Sequence, residues 1–542
     1  MKKSISLFLL AFLFAFQALS QNISVSDEKM PLSKEASKAQ KQFSLTFMGT
    51  YLPENSSEIL AIYTYQPKKS PTMMDIVKIK KDGTYSETET VEFTQANLDK
   101  YGITLKNDAL DNLNKDISSK PVFYVKGPAL AGTPKVNVGH FENRYKMGVW
   151  SGYSFKEEND FDMDVKFWPY FTVGMGSEDL SNTNYLLSKY NMVSRFLQGK
   201  RNYVSANSPV LIGGMKAVMG SDVFFAGVYD TESKTWLKSQ DIKFEKSIDP
   251  GFRHFHQDDN GNVHCVIGVG DHFQVLQFSP NGDLAHNVPL QIPLKGNTIV
   301  DCNIAMHSTD NEFTVAMSYY SGRTGGDPAI AISRVSEGKE TLFSNITNEM
   351  LESIMISAPK SKAKFKKMKY LQMDKIEVLS NGDMLVFFCG AQGSNPINNY
   401  MLHLGSTGQA KACYQADPIP GDTAPQFDSA GHIDPLVEVR GDKVYWLIRS
   451  VPKELKQGMK SFSSTEDAGA YYVKTTTTLR VDEFYQLGSI VTIDLASKNI
   501  SNQITPEAVL IGANPMRILE NGSIVFTTFD LKKSIYTTLI VK

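Results

Sequence analysis

The chain has 542 residues, 42% of them hydrophobic and 11% aromatic, with a formal net charge of −2. That much apolar material supports a large packed core, and a charge so near zero excludes a global field that would gather nucleic acid or an anionic membrane. Four cysteines in so long a chain exclude a disulfide scaffold.

Residues 1–20 read as a secretory signal peptide. Lys2 and Lys3 form the positive start, Ile5–Phe16 is almost wholly apolar, and Ala18-Leu19-Ser20 places small residues at a cleavage site. The apolar stretch is shorter than the roughly twenty residues a membrane span needs. No later segment is long and apolar enough, so an exported protein without a transmembrane segment is expected. Residues 21–42, rich in Lys, Glu, Ser and Ala, read as a flexible leader. Residues 43–542 read as one domain.

Within that domain a short phrase recurs: Asp259-Asn260-Gly261-Asn262-Val263-His264-Cys265-Val266, then Ser380-Asn381-Gly382-Asp383-Met384-Leu385-Val386-Phe387, then Glu520-Asn521-Gly522-Ser523-Ile524-Val525-Phe526-Thr527. Asn-Gly supplies a tight turn because both residue types tolerate positive φ, and an apolar strand follows. A second strand-like run comes after each: His272–Phe278, Asn399–Leu404 and Ile535–Val541. The same grammar marks Glu58–Tyr65 with Met74–Lys80, Asp222–Tyr229, Phe313–Tyr320 with Ala329–Val335, and Lys443–Arg449 with Ser489–Leu495. The spacing predicts an all-β fold, a β-propeller of seven or eight blades, since a four-stranded blade takes about 40–50 residues.

The wider gaps predict insertions near 85–215, 345–370 and 450–485. Leu180–Gln198 and Glu349–Ser357 have helical spacing, and the basic run from Lys360 to Lys369 reads as a solvated loop. The chain stops one strand short of a full last unit, so an N-terminal strand is expected to close the ring. Lys41–Leu52 alternates well enough to serve. Cys389 and Cys413 flank neighbouring strands and are open to pairing; the competing reading is four small hydrophobes in strand cores.

Two segments carry candidate chemistry. Trp168 and Tyr170 follow an acidic run containing Asp162 and Asp164. Exposed, these aromatics would stack on sugar rings beside carboxylates that accept from hydroxyls; buried, they would form a hydrophobic plug. His254 and His256 stand two apart, so on a strand they share a face that Asp258 continues, an arrangement suited to a transition metal. Turn chemistry alone also explains Asp258. No catalytic residue is assigned, because nucleophile elbows, phosphate loops, His-Glu-x-x-His and Cys-x-x-Cys are all absent from the sequence. No cofactor is implied.

The style of signal peptide and the Ser-Pro-Asn-Gly-Asp and Ser-Asn-Gly-Asp turns resemble the exported β-propeller-like proteins of Bacteroidota. That resemblance implies a periplasmic, outer-membrane peripheral or extracellular location and no particular activity. The leading expectation is a binding or scaffold protein whose loops contact a protein, peptide or glycan, with no role for nucleic acid. The alternative is a secreted carbohydrate-active hydrolase or lyase with an acidic and aromatic centre.

Overall fold

The glycine-marked phrases fold as hairpins. In the computed structural model of the chain, Asp258 N–H donates to the carbonyl of Asn262 at 3.0 Å and Gly261 N–H to that of Asp258 at 3.0 Å, with Gly261 at φ +82°. The turn at 379–383 repeats the pattern, with Gly382 at φ +80°. Only the glycine is left-handed; Asn260 and Asn381 are not. These turns therefore end on a left-handed glycine and do not place Asn and Gly both at positive φ.

The structure describes residues 23–25, 30–41, 45–53, 56, 58–68, 70–103, 121–126, 144–151, 154–162, 167–174, 203–205, 209–216, 221–230, 233–258, 260–308, 311–322, 326–358, 367–392, 397–416, 436–449, 485–510, 516–519, 523–530 and 535–541. They are overwhelmingly strand, with short helices α1 (Lys34–Lys41), α2 (Gln95–Asp99) and α3 (Asn348–Ser353). No helix among the described residues is long and apolar enough to cross a membrane. The fold is all-β. The chain divides into two compact units, residues 1–105, 479–487 and 505–542 in the first, and 106–478 with 488–504 in the second.

The first unit holds sheet 1, a meander of Thr46–Tyr51, Glu58–Tyr65, Met73–Lys80 and Tyr85–Glu92. Its strand Glu58–Tyr65 is apolar almost throughout because both faces are covered. Ile59, Ala61, Tyr63, Val77 and Ile79 pack with Leu519 and Val525. In the same unit Met516–Ile518, Ile524–Asp530 and Ile535–Val541 pair in order, and Ile23–Val25 adds to the edge of Ile535–Val541, Ile23 opposite Val541. The edge strand is thus residues 23–25, whereas Thr46–Tyr51, within the segment expected to serve, belongs to sheet 1. The stretch expected as a flexible leader carries that edge strand and α1, whose Ala36 and Ala39 pack on Tyr65.

The second unit holds five further sheets. Sheet 2 is Pro121–Lys126, Arg144–Ser151 and Ser154–Asp162, edged by Tyr203–Ser205. Sheet 3 is Phe167–Gly174, Pro209–Lys216, Val223–Asp230 and Thr235–Lys243. Sheet 4 is Ile248–Gln257, Val263–Val269, His272–Phe278 and Leu284–Pro293. Sheet 5 is Asn297–Met306, Glu312–Ser321, Pro328–Ser336 and Lys339–Ile346. Sheet 6 is Met368–Val378, Met384–Gln392, Ile397–Leu404 and Ala410–Gln415, with Met355–Ser357 parallel on its edge. The span expected as an insertion at 85–215 therefore contributes strands to sheets 1, 2 and 3. The helix expected at Leu180–Gln198, the basic run up to residue 366 and nearly all of 450–485 lie outside the described residues.

Consecutive sheets of this unit stack face to face. Phe171, Leu211 and Phe224 of sheet 3 meet Val263, Ile267 and Leu276 of sheet 4. The opposite face of sheet 4, Val266 and Val275, meets Val315 and Met317 of sheet 5. Ile330 and Ile332 of sheet 5 meet Val386 and Leu402 of sheet 6. Phe387 and Met401 of sheet 6 then meet Trp446 and Val491 on the paired strands Lys443–Arg449 and Tyr485–Asp494. Each such side chain contributes roughly 1.5–3 kcal/mol by leaving water. Cys265, Cys302, Cys389 and Cys413 are buried inside these layers and none is in a disulfide, so Cys389 and Cys413 do not pair.

Polar buckles fix the register between layers. Gln240 on the last strand of sheet 3 donates to the carbonyl of Gly282, in the last turn of sheet 4, at 2.9 Å. Ser344 on the last strand of sheet 5 donates to the carbonyl of Gly408, in the last turn of sheet 6, at 2.8 Å. A Cβ at Gly408 would meet Leu342 at 3.0 Å and Ser344 at 3.2 Å, and its φ of +79° disfavours any side chain. Gly408→Ala is expected to cost about 1–2 kcal/mol from left-handed strain and crowding. Urea unfolding measures it; an unchanged midpoint would mean the buckle holds nothing.

Candidate functional site

The aromatic and acidic segment is largely structural where it is described. Tyr170 is buried, its hydroxyl donating to the carbonyl of Asp249 at 2.8 Å and its ring edge-on to Phe224 at 5.6 Å. It is a packing residue of sheet 3 and offers no face to a ligand. Trp168 shares that strand, opposite Met215, and Asp162 ends the strand Ser154–Asp162, opposite Arg144. Asp164 lies outside the described residues.

The histidine segment is Ile248–Gln257, the first and edge strand of sheet 4. His254 lies opposite Val266 and His256 opposite His264, placing both on the face toward sheet 5. Asp258 is not aimed at them. Its carboxylate accepts from Asn260 N–H at 2.9 Å, Asn262 N–H at 2.8 Å and Asn262 Nδ2 at 2.9 Å, and contacts His264 Nε2 at 3.1 Å. Burial opposes its ionisation, but the hydrogen bonds from His264 and Asn262 outweigh that and hold the carboxyl below its ordinary range. Burial of His254, helped by repulsion from His256, drives that imidazole down to about 4. Among the described residues no three His, Cys, Asp or Glu side chains are placed to hold a metal, so His254, His256 and Asp258 do not form the site their spacing suggests.

The signal that sequence reading missed is a repeated polar rivet. In sheet 6 Asp383 contacts His403 Nε2 at 2.9 Å and Lys411 Nζ at 2.7 Å, and accepts from Ser406 N–H at 3.0 Å. Sheet 5 has His307 beside Thr314 at 2.8 Å, with Glu312 between His307 and Arg334 at 3.6 Å from each. Each cluster joins a hairpin turn to the strands beside it. Aspartate plus histidine is here a fastening, and no nucleophile stands at its open end among the described contacts.

One open cleft is built in the first unit, with a volume of about 600 Å³. Leu60 and Lys78, on the central strands of sheet 1, form its floor; Pro53, Ser56 and Glu58 form one wall; Lys100, Tyr101 and Gly102 form the other. Helix α2 positions the second wall. Thr94 caps it by accepting from Asn97 N–H at 3.3 Å, and Leu98 is fully buried beneath it. Gly102 ends the turn at φ +65° with nothing within 4 Å of where a Cβ would stand, which leaves the cleft open on that side.

Three ionisable groups of this cleft, Lys78, Lys100 and Tyr101, are already engaged. Lys78 pairs with Glu87, which raises its pKa, and its Nζ stands 5.9 Å from the centroid of the Tyr101 ring. Tyr101 donates to Glu89; burial and that carboxylate both push the phenol pKa up, so it stays neutral. Lys100 Nζ donates to Asn97 at 2.9 Å. These residues come from three separate elements and no local motif announces them.

No protein-family profile matches the chain, and no curated protein matches it. Solved structures give distant likenesses. A Synechocystis apocarotenoid oxygenase variant is 9% identical, with 86% of this chain and 91% of that chain covered and a TM-score of 0.29. An ulvan lyase, a polysaccharide lyase, is 9% identical, with 92% and 94% covered and a TM-score of 0.28. A structure of Drosophila plexin A in complex with semaphorin 1b is 11% identical, with 77% and 84% covered and a TM-score of 0.29. At such scores none of these carries an argument about this protein's fold or activity.

Proposed function

We propose that this is an exported β-propeller that binds a ligand without transforming it, and that the ligand sits in the cleft on sheet 1. The observation supporting the binding site is that cleft: a concave volume in the range of small-ligand sites, whose Lys78, Lys100 and Tyr101 are held by Glu87, Asn97 and Glu89. Groups tied to partners in this way are held in place to recognise a ligand with little loss of side-chain freedom. The propeller has eight blades in this reading. Sheets 1–6 supply six, the strands from Leu436 to residue 504 a seventh, and the strands from Met516 to Val541 an eighth completed by Ile23–Val25. The location in the periplasm or at the cell surface rests on the signal peptide.

The test is a thermal-shift screen of the mature protein against oligosaccharides, peptides and small anions, beside Ser56→Trp, which fills the cleft from its wall. At a hundredfold excess over Kd, a true ligand stabilises the folded state by about 2.7 kcal/mol. The expected result is a ligand that raises the wild-type Tm and leaves Ser56→Trp unmoved. A response that survives Ser56→Trp, or no response at all, overturns the site.

A further inference from the structure

The chemistry of the same cleft narrows its ligand, and this step rests on the binding reading above. We propose that the cleft takes a neutral, hydroxyl-rich saccharide, with Tyr101 as its stacking platform. Three features converge on that class. First, the lining mixes apolar and polar groups: Pro53, Leu60 and the Tyr101 ring with Ser56, Glu58 and Lys100. A pyranose has the matching form, with C–H faces that lie on an aromatic ring and hydroxyls around the edge that both donate and accept.

Second, charge is balanced. An anionic ligand would meet Glu58 in the lining and Glu87 and Glu89 beside it; a cationic one would meet Lys78 and Lys100. Lys78 is already tied to Glu87, so an anion has only Lys100 to meet and faces Glu58 as it does so, while a cation faces both lysines. Hydroxyls bridge such pairs without disturbing them. Third, the platform is preorganised. The hydroxyl of Tyr101 is anchored on Glu89 and Lys78 Nζ stands over one face of the ring at 5.9 Å, so a sugar would stack on the other face and little side-chain freedom is lost on binding.

Titration calorimetry and saturation-transfer NMR on the mature protein decide the matter, with three sets of probes: neutral gluco-, manno- and xylo-oligosaccharides, acidic or sulfated oligosaccharides, and short peptides. The expected result is binding of a neutral oligosaccharide whose Kd is unchanged between 50 and 500 mM salt, since nothing ionic is exchanged. Tyr101→Ala is expected to weaken it on the order of tenfold, the size of a lost aromatic contact, while Tyr101→Phe stays within about threefold because the ring remains. Circular dichroism melts of both variants separate loss of the platform from loss of the fold. Binding confined to charged oligosaccharides or peptides, blocked by Ser56→Trp, overturns the neutral-saccharide assignment and leaves the binding reading standing. Tyr101→Ala that melts like wild type and binds equally well removes Tyr101 as the platform and overturns the proposal. No binding by any probe overturns both.

Discussion

Lowering the pH from 7.5 to 4.5 is expected to remove about 2.5 kcal/mol of stability through His254 alone. In the unfolded chain an imidazole takes up its proton near pH 6.5, whereas burial and the neighbouring His256 keep His254 neutral down to about pH 4 in the folded protein. The folded pKa is the lower of the two. The unfolded state therefore binds the extra proton across that window, and stability falls as pH drops through it. Burial lowers His307 and His403 as well, against the pull of Glu312 and Asp383, so they act in the same direction. Asp258 and Asp383 enter later. Their depressed pKa values contribute stability that is complete above the ordinary carboxylate range and is lost only below it. Urea unfolding at the two pH values, for wild type and His254→Gln, measures the difference. The variant is expected to lose about 2.5 kcal/mol less than wild type over that drop; equal acid sensitivity in both would show that His254 is solvated.

How much of this was legible depended on how many sides of a strand are covered. Strands such as Val263–Val269 and Glu312–Ser321, second in their sheets, are sandwiched between neighbouring layers and are buried almost throughout. They read as unbroken apolar runs, and the turn phrases beside them place them to within a residue or two. The outer strands read as nothing in particular: Tyr85–Glu92 is Tyr-Ser-Glu-Thr-Glu-Thr-Val-Glu, and Thr235–Lys243 alternates exposed and covered positions. First strands such as Ile248–Gln257 and Asn297–Met306 mix His, Asp and Asn with apolar residues. At His254 and His256 that mixture reads as chemistry. The pleat does put both on one face, but a metal also needs the third ligand to turn toward them, and Asp258 turns toward the hairpin and His264.

The cleft was invisible for a different reason. Glu58, Lys78 and Tyr101 are ordinary residues at ordinary spacings, and only the meander of sheet 1 and the cap on α2 bring them around one cleft. A motif search finds sites written within one segment; this one is distributed over about fifty residues of sequence, from Pro53 to Gly102. Tyr170 shows the converse. A conspicuous aromatic run attracted a functional reading, and its hydroxyl needed only one buried carbonyl, that of Asp249, to be satisfied in the core.

The N-terminal segment offers the sharpest test of what holds the first unit together. Asp75 is fully buried in sheet 1. Its carboxylate accepts from Ser33 N–H at 2.6 Å, Thr90 Oγ1 at 2.9 Å and Tyr65 hydroxyl at 3.3 Å. Ser33 is also the cap of α1, its hydroxyl accepting from Ala36 N–H at 3.2 Å. One carboxylate thus ties the entry of α1 to two strands, where the sequence suggested only a flexible leader. Asp75→Asn keeps the shape but replaces one acceptor oxygen by an amide N–H₂, so either Ser33 N–H loses its acceptor or the hydroxyls of Tyr65 and Thr90 must turn round to accept. The expected loss is about 2–4 kcal/mol, together with faster amide exchange across Lys34–Lys41 as the helix detaches from Tyr65. Lys38→Ala, on the exposed side of the same helix, is the control and is expected to stay within about 0.5 kcal/mol. Faster exchange in α1 with little change in the midpoint would mean that the segment is an appendage; loss of both together makes it part of the core.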